Sequence, residues 1–202
     1  TVATEQVANA FGFRTRDGDA HLQATPPGAA GLVMLPFLNG ERTPDLPLGK
    51  GVLAGLDTTN MTPAHVYRAA MEGATYSLKY GFDAFVRAGM AFDRIVLTGG
   101  GSNSAAWRQL VADVFGLPVD VPVQSEGAAF GAALQALWAV GRADGDAASI
   151  ADIARTHVAT DPALATRPDP DHPSCGSAGQ CRGHRDRSGQ SAPGPAGSDR
   201  TC

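Results

Sequence analysis

The stretch Arg94 to Arg108, RIVLTGGGSNSAAWR, decides how the rest of the chain is read. Ile95, Val96 and Leu97 form a short apolar, β-branched run of the kind a buried strand needs. Gly99, Gly100 and Gly101 follow at once, then the polar Ser102-Asn103-Ser104. From Ala105 the spacing of Leu110, Val111 and Val114 predicts a helix. A strand that runs through glycines into a helix is a place to hold a nucleotide. Glycine lets the backbone approach the ligand, and the first N–H groups of a helix lack internal partners. The turn has neither the Gly-Lys-Ser/Thr of a Walker A loop nor the third spaced glycine of a dinucleotide fingerprint. Alone, it stands equally for a ligand site and for a tight connection.

Upstream, Val2, Val7, Ala8 and Phe11 predict a helix closed by Gly12, and Arg14 to Ala30 reads as a polar loop. Gly31 to Leu38 and Gly51 to Leu56 read as strands around a loop rich in Pro and Gly. Thr62-Pro63 supplies an N-cap and a first helical proline. The helix that follows to about Ala88 carries Val66, Ala70, Ala74, Leu78, Phe82 and Phe85 on one face, with Gly89 past its end. Its Ala69, Ala70, Gly73 and Ala74 are small, so another element can come close. Downstream, Leu117 to Val123 predicts a further strand, and Gly127 to Val140 an Ala-rich helix with Gly131 and Gly141 as packing points. Strands alternating with helices indicate an α/β layered domain.

At 202 residues the chain can bury a sizeable core or hold one domain and a tail. A net charge of −4 argues against a nucleic-acid surface. No run of eighteen apolar residues marks a membrane span. The opening TVATEQVANAFGF has neither an initiator Met nor a signal-peptide pattern, which suggests part of a longer protein. Cys175, Cys181 and Cys202 all lie near the end, so the body has no disulfide framework and a reducing cytoplasm is expected. From Pro168 onward no large apolar residue occurs, which predicts disorder. Zinc at the tail cysteines and His184 is disfavoured by their spacing. The abrupt change of composition there is consistent with a shifted reading frame.

Three ordered segments resemble the FGGY family of carbohydrate kinases, in the C-terminal domain of its xylulokinase type. They are Leu35 to Pro44 (LPFLNGERTP); Gly51 to Leu56 with His65-Val66 and Ala69-Ala70-Met71-Glu72; and Leu97 to Ser102 with Trp107-Arg108-Gln109, trailed by Glu126 and the GAAFGAALQA helix. The resemblance covers roughly residues 1 to 142. It implies an α/β, actin-like ATPase (ribonuclease H-like) domain, a mixed sheet flanked by helices, over residues 1–165, with 166–202 a low-complexity tail. It also implies ATP and Mg2+, a pentulose substrate and a catalytic aspartate outside this sequence. The domain would then be the adenosine side of a cleft.

Within that frame Gly99, Gly100, Gly101, Ser102 and Asn103 are the candidate nucleotide-binding residues, the glycines for close passage and the other two for polar contacts. Some members carry an adenine-facing Asn where this chain has Ala105. Glu41 and Arg42 read either as an ion pair fixing their loop or as cleft residues. Glu72 is expected to hydrogen-bond a backbone end, Trp107 to sit in the core rather than serve as a stacking platform for adenine, His65 to be a solvated first-turn residue and Asp57 to be a turn aspartate. Gly/Ala-rich helices are compatible with a homodimer.

Overall fold

The computed structural model describes residues 1–124 and 126–171, and its axis is helix α3 (Pro63–Arg87). Thr62 starts this helix as its sequence suggests: the hydroxyl accepts the N–H of His65, and Pro63 stands where no donor is needed. The first half of α3, from Val66 to Thr75, is buried, with three partners from the N-terminal part of the chain and α4 from beyond it. Helix α1 (Val2–Phe11) packs on it through Ala3, Val7 and Ala8; it is opened by a Thr1–Thr4 capping box and closed by Gly12 at φ 73°. Strand β1 (Val33–Leu35) lies directly on α3, because Gly73 offers no side chain there. A Cβ on Gly73 would come within 2.2 Å of the Met34 carbonyl oxygen. The small stretch noted in the sequence thus permits the close approach.

The third partner is α2 (Gly18–Gln23), which replaces part of the loop expected over residues 14–30. Only Leu22 of its few apolar residues is deeply buried, so periodicity could not reveal it. Two contacts from α3 hold it. Arg68 donates from Nη1 to the carbonyls of Leu22 (2.6 Å) and Thr25 (2.9 Å), satisfying groups that a helix end leaves open. The Tyr67 ring lies over Gly18, where a Cβ would stand 2.3 Å from the phenol oxygen.

Strand β2 (Val52–Ala54) pairs antiparallel with β1, Val33 opposite Ala54. The expected strand–turn–helix forms β3 (Ile95–Val96) and α4 (Ala105–Phe115), and β4 (Val119–Asp120) returns parallel to β3. Val111, Ala112 and Val119 make a second core with Ile95, Leu97 and Phe115. The strands are shorter than their apolar runs because proline interrupts the ladder: Pro118 and Pro122 flank β4, and Pro36 ends β1.

Helices α5 (Gly127–Ala143) and α6 (Ile150–His157) follow, and the chain then runs back beside β4. Thr166 exchanges two backbone hydrogen bonds with Val119 (2.8 and 2.9 Å), and Asp161 donates to Val121 (2.8 Å). Parallel and antiparallel pairing therefore meet at β4, the mixed arrangement expected. The fold continues past the expected boundary at residue 165, with Asp169 N–H donating to Asp113 Oδ1 at 2.8 Å. The expected disorder from Pro168 is not met at 168–171, where Asp169 makes that hydrogen bond; the rest of that expectation, and that of a tail that holds no zinc, fall on residues outside those described, from 172 onward. Gly131 is not the packing point expected of it, since a Cβ there would meet nothing within 4 Å.

Candidate functional site

The turn after β3 is shaped from within. Gly99 takes φ 82° and ψ −176°, a backbone open to glycine and strained for any other residue. Ser102 is buried, its hydroxyl donating to the Gly99 carbonyl at 2.7 Å, while Arg108 donates to the Ser102 carbonyl at 2.6 Å. Ser104 then caps α4, its oxygen accepting the Trp107 N–H at 2.9 Å. Beneath the turn lies the Trp107 ring, so close that a Cβ on Gly101 would meet it at 2.4 Å. The indole N–H donates to the Thr75 hydroxyl at 3.0 Å, and Thr75 donates to the Met71 carbonyl at 2.9 Å. The turn therefore rests on the buried half of α3, and Trp107 is a support, in line with its expected core role.

Above the turn opens a cavity of about 510 Å3. Gly100, Gly101, Asn103 and Ser104 form one wall; Thr4 and Glu5 of α1, its N-cap Thr1, Thr15 and Arg16 form the other; Tyr67 and Met71 reach its floor with Trp107. The expected site residues divide accordingly. Gly100 and Gly101 face the cavity, with open space over Gly100, and Asn103 stands exposed at the rim. Gly99 shapes the entry to the turn, and Ser102 spends its hydroxyl on the turn itself. Burial, with the charge of Asp19 added, holds the Tyr67 phenol above its ordinary pKa, so it stays a neutral donor, reaching the Thr15 carbonyl at 3.5 Å.

Sequence reasoning missed the α1 and Thr15–Arg16 wall, because Thr1, Glu5 and Arg16 carry no motif; the capping box at Thr1 was their nearest signal. Two other cavities miss the glycine turn. One, of about 430 Å3, lies among α2, α3 and α4 beside Arg68, Glu72, Gln109 and Asp113. The other, of about 420 Å3, is apolar and lies between β1 and α3.

Of the remaining charged candidates, Glu72, Glu41, His65 and Asp57 make hydrogen bonds within the chain. Glu72 accepts the Gly28 N–H (3.0 Å), the backbone role expected, and pairs with Arg68 at 2.8 Å. Glu41 makes no ion pair with Arg42 among the described residues; its carboxylate caps the Arg42 and Thr43 N–H groups at 2.7 and 3.3 Å. His65 is half-buried and shares a 2.7 Å hydrogen bond with the Thr62 hydroxyl. Asp57 closes a turn as expected. Its carboxyl is held below the usual pKa by the Thr59 hydroxyl first, then by the N–H groups of Thr59 and Asn60. Among the described residues no cluster of His, Cys, Asp or Glu could hold a metal ion, and no helix is long and apolar enough to cross a membrane.

Comparison with known proteins gives a consistent picture. Residues 6–140 match the model for the FGGY family of carbohydrate kinases, C-terminal domain. The xylulose kinase of Haemophilus influenzae is 42% identical over 144 residues, which are 71% of this chain and 29% of that protein. The gluconokinase of Bacillus licheniformis is 39% identical over 126 residues, 58% of this chain and 23% of that one. The crystal structure of xylulose kinase from Bifidobacterium adolescentis superposes with a TM-score of 0.65 at 29% identity, covering 82% of this chain and 31% of the other. The chain thus spans less than a third of the length of each of these relatives.

Proposed function

The chain belongs to the FGGY family of carbohydrate kinases, of actin-like ATPase fold, and on that premise we propose that it forms the nucleotide-side wall of a cytoplasmic ATP-dependent pentulose kinase. The reaction is transfer of the γ-phosphoryl of ATP to a hydroxyl of D-xylulose, giving D-xylulose 5-phosphate. The observation that carries this reading is the cavity over Gly100 and Gly101, set between the turn and α1. Base and ribose lie over the open glycine face, with Asn103 and Glu5 offering polar contacts, and Gly99 and Ser102 hold the backbone that makes the face.

Phosphoryl transfer of this kind is catalysed by positioning and by electrostatic stabilisation of the phosphates, where Mg2+ neutralises charge. Among the described residues no three His, Cys, Asp or Glu side chains converge, and no Mg2+ ligand is assigned to this chain. The role assigned to this chain is accordingly to bind and orient the nucleoside. The catalytic aspartate and the sugar contacts belong to other parts of the kinase.

A coupled assay for ADP formation tests the substrate. With the kinase that contains this domain, D-xylulose is expected to be the best of D-xylulose, ribulose, gluconate and glycerol. A preference for gluconate would favour the second reading, a gluconokinase, which the 39% identity to that relative motivates. Turnover by the 202-residue chain alone would contradict this division of labour.

A further inference from the structure

We propose that Asp19 is a positioning residue that clasps the two walls of the nucleoside cavity and turns the start of α4 away from phosphate; the inference rests on the nucleotide reading above. Asp19 lies in the first turn of α2, 85 residues before Ser104. One carboxylate oxygen accepts the Ser104 hydroxyl and the other the Ala106 N–H at 3.4 Å. Ser104 is itself the N-cap of α4, so the helix start is capped once locally and once from a distant element.

The geometry of the clasp follows from what each partner continues into. Thr15 and Arg16, on one wall, lead straight into α2; Gly100 to Ser104, on the other, lead straight into α4. Asp19 joins the two where they diverge from the cavity. Arg68 anchors the arrangement from behind by holding the Leu22 and Thr25 carbonyls at the far end of α2. Loss of the carboxylate would free the walls to separate, and the pairing of nucleoside contacts from both would be lost.

The charge matters separately. A helix N-terminus draws anions, which is why a strand–glycine–helix turn suggests a phosphate cradle. In this chain a carboxylate already occupies that end and already uses the Ala106 donor. Arg16, the cationic side chain lining this cavity, lies 4.0 Å from the Asp17 carboxylate. The site at the turn therefore favours the uncharged base and ribose, and the phosphates of ATP run away from α4.

Calorimetric titration of the whole chain with adenosine, ATP and inorganic tripolyphosphate tests this, with thermal unfolding of each variant alongside. The unsubstituted chain is expected to bind adenosine and ATP within about threefold of each other, as a nucleoside-directed site requires, and tripolyphosphate not measurably. Asp19→Ala should weaken adenosine by about tenfold, the loss expected when charge-assisted hydrogen bonds are removed. Asp19→Asn keeps the side chain's shape but not its charge. It should hold adenosine within about threefold while shifting the ATP-to-adenosine affinity ratio toward ATP by about threefold. Should Asp19→Ala fail to fold, Asp19→Asn alone decides. Lower unfolding temperatures with an unchanged affinity ratio would make Asp19 merely structural and overturn the inference. An unsubstituted chain that binds neither adenosine nor ATP would fail the nucleotide reading itself, and this inference with it.

Discussion

Gly73 in α3 and Gly131 in α5 sit in similar surroundings along the chain, each with an alanine after it and small residues a turn away. In space they differ completely. A Cβ on Gly73 would drive into the Met34 carbonyl at 2.2 Å, whereas a Cβ on Gly131 would meet nothing within 4 Å. Helix α3 receives α1, α2, β1 and α4 on its small-residue half, while α5 buries only Leu134 and leaves Leu137 and Val140 48% and 61% exposed. A run of Gly and Ala permits close packing but does not cause it; the arriving partner does. The glycine turn adds a third case, with Gly101 filled by Trp107 and Gly100 open to the cavity.

Substitutions separate these cases, and the largest effect belongs to Gly73. Gly73→Ala must displace backbone, not a flexible side-chain end, and is expected to cost about 3 kcal/mol, the upper range for overpacking. Urea denaturation monitored by circular dichroism reads it; a cost under about 1 kcal/mol, the lower limit of that range, would show that β1 is not seated as described. Within the turn, Gly99→Ala is expected to cost about 2 kcal/mol through its positive φ. Gly100→Ala should leave stability within about 0.5 kcal/mol, as for a site without strain or contact, yet weaken nucleotide binding. Equal stability loss from both would remove the distinction between shaping and binding glycines.

Gly131→Ala should move stability the other way. Helix propensity alone makes it about 1 kcal/mol stabilising, provided its face is open; a destabilised variant would mean that α5 packs where this structure leaves it free. The smallest effect is a pH signature of the buried half of α3. Because the Tyr67 pKa is raised above 10.0, its contribution is whole below pH 10.0 and falls away as pH rises through the higher folded value. The unfolding temperature should drop more steeply above that pH for the unsubstituted chain than for Tyr67→Phe.

Much of this architecture was legible beforehand where local chemistry and tertiary packing agree. Thr62-Pro63 marked the start of α3, Gly12 the end of α1, and Ile95 to Val114 the strand, turn and helix. The glycine turn was also legible as a turn, with its place between strand and helix. What stayed hidden depends on distant partners. Helix α2 is held by Arg68 and Tyr67, more than forty residues away for the carbonyl contacts, and shows no apolar period of its own. Thr166 continues the sheet through backbone groups alone, which composition does not report. The second wall of the cavity comes from α1 and Thr15–Arg16, whose residues line up only once α3 has brought them opposite the turn.

Whether the cavity over the glycine turn receives the nucleoside is tested most directly by titrating ATP into the isotope-labelled chain and following its backbone amides. Saturable shifts are expected to concentrate at Glu5, Gly100, Gly101 and Asn103, with Gly131 unmoved. Shifts centred instead on Arg68, Gln109 and Asp113 would place the ligand in the neighbouring cavity and contradict the assignment.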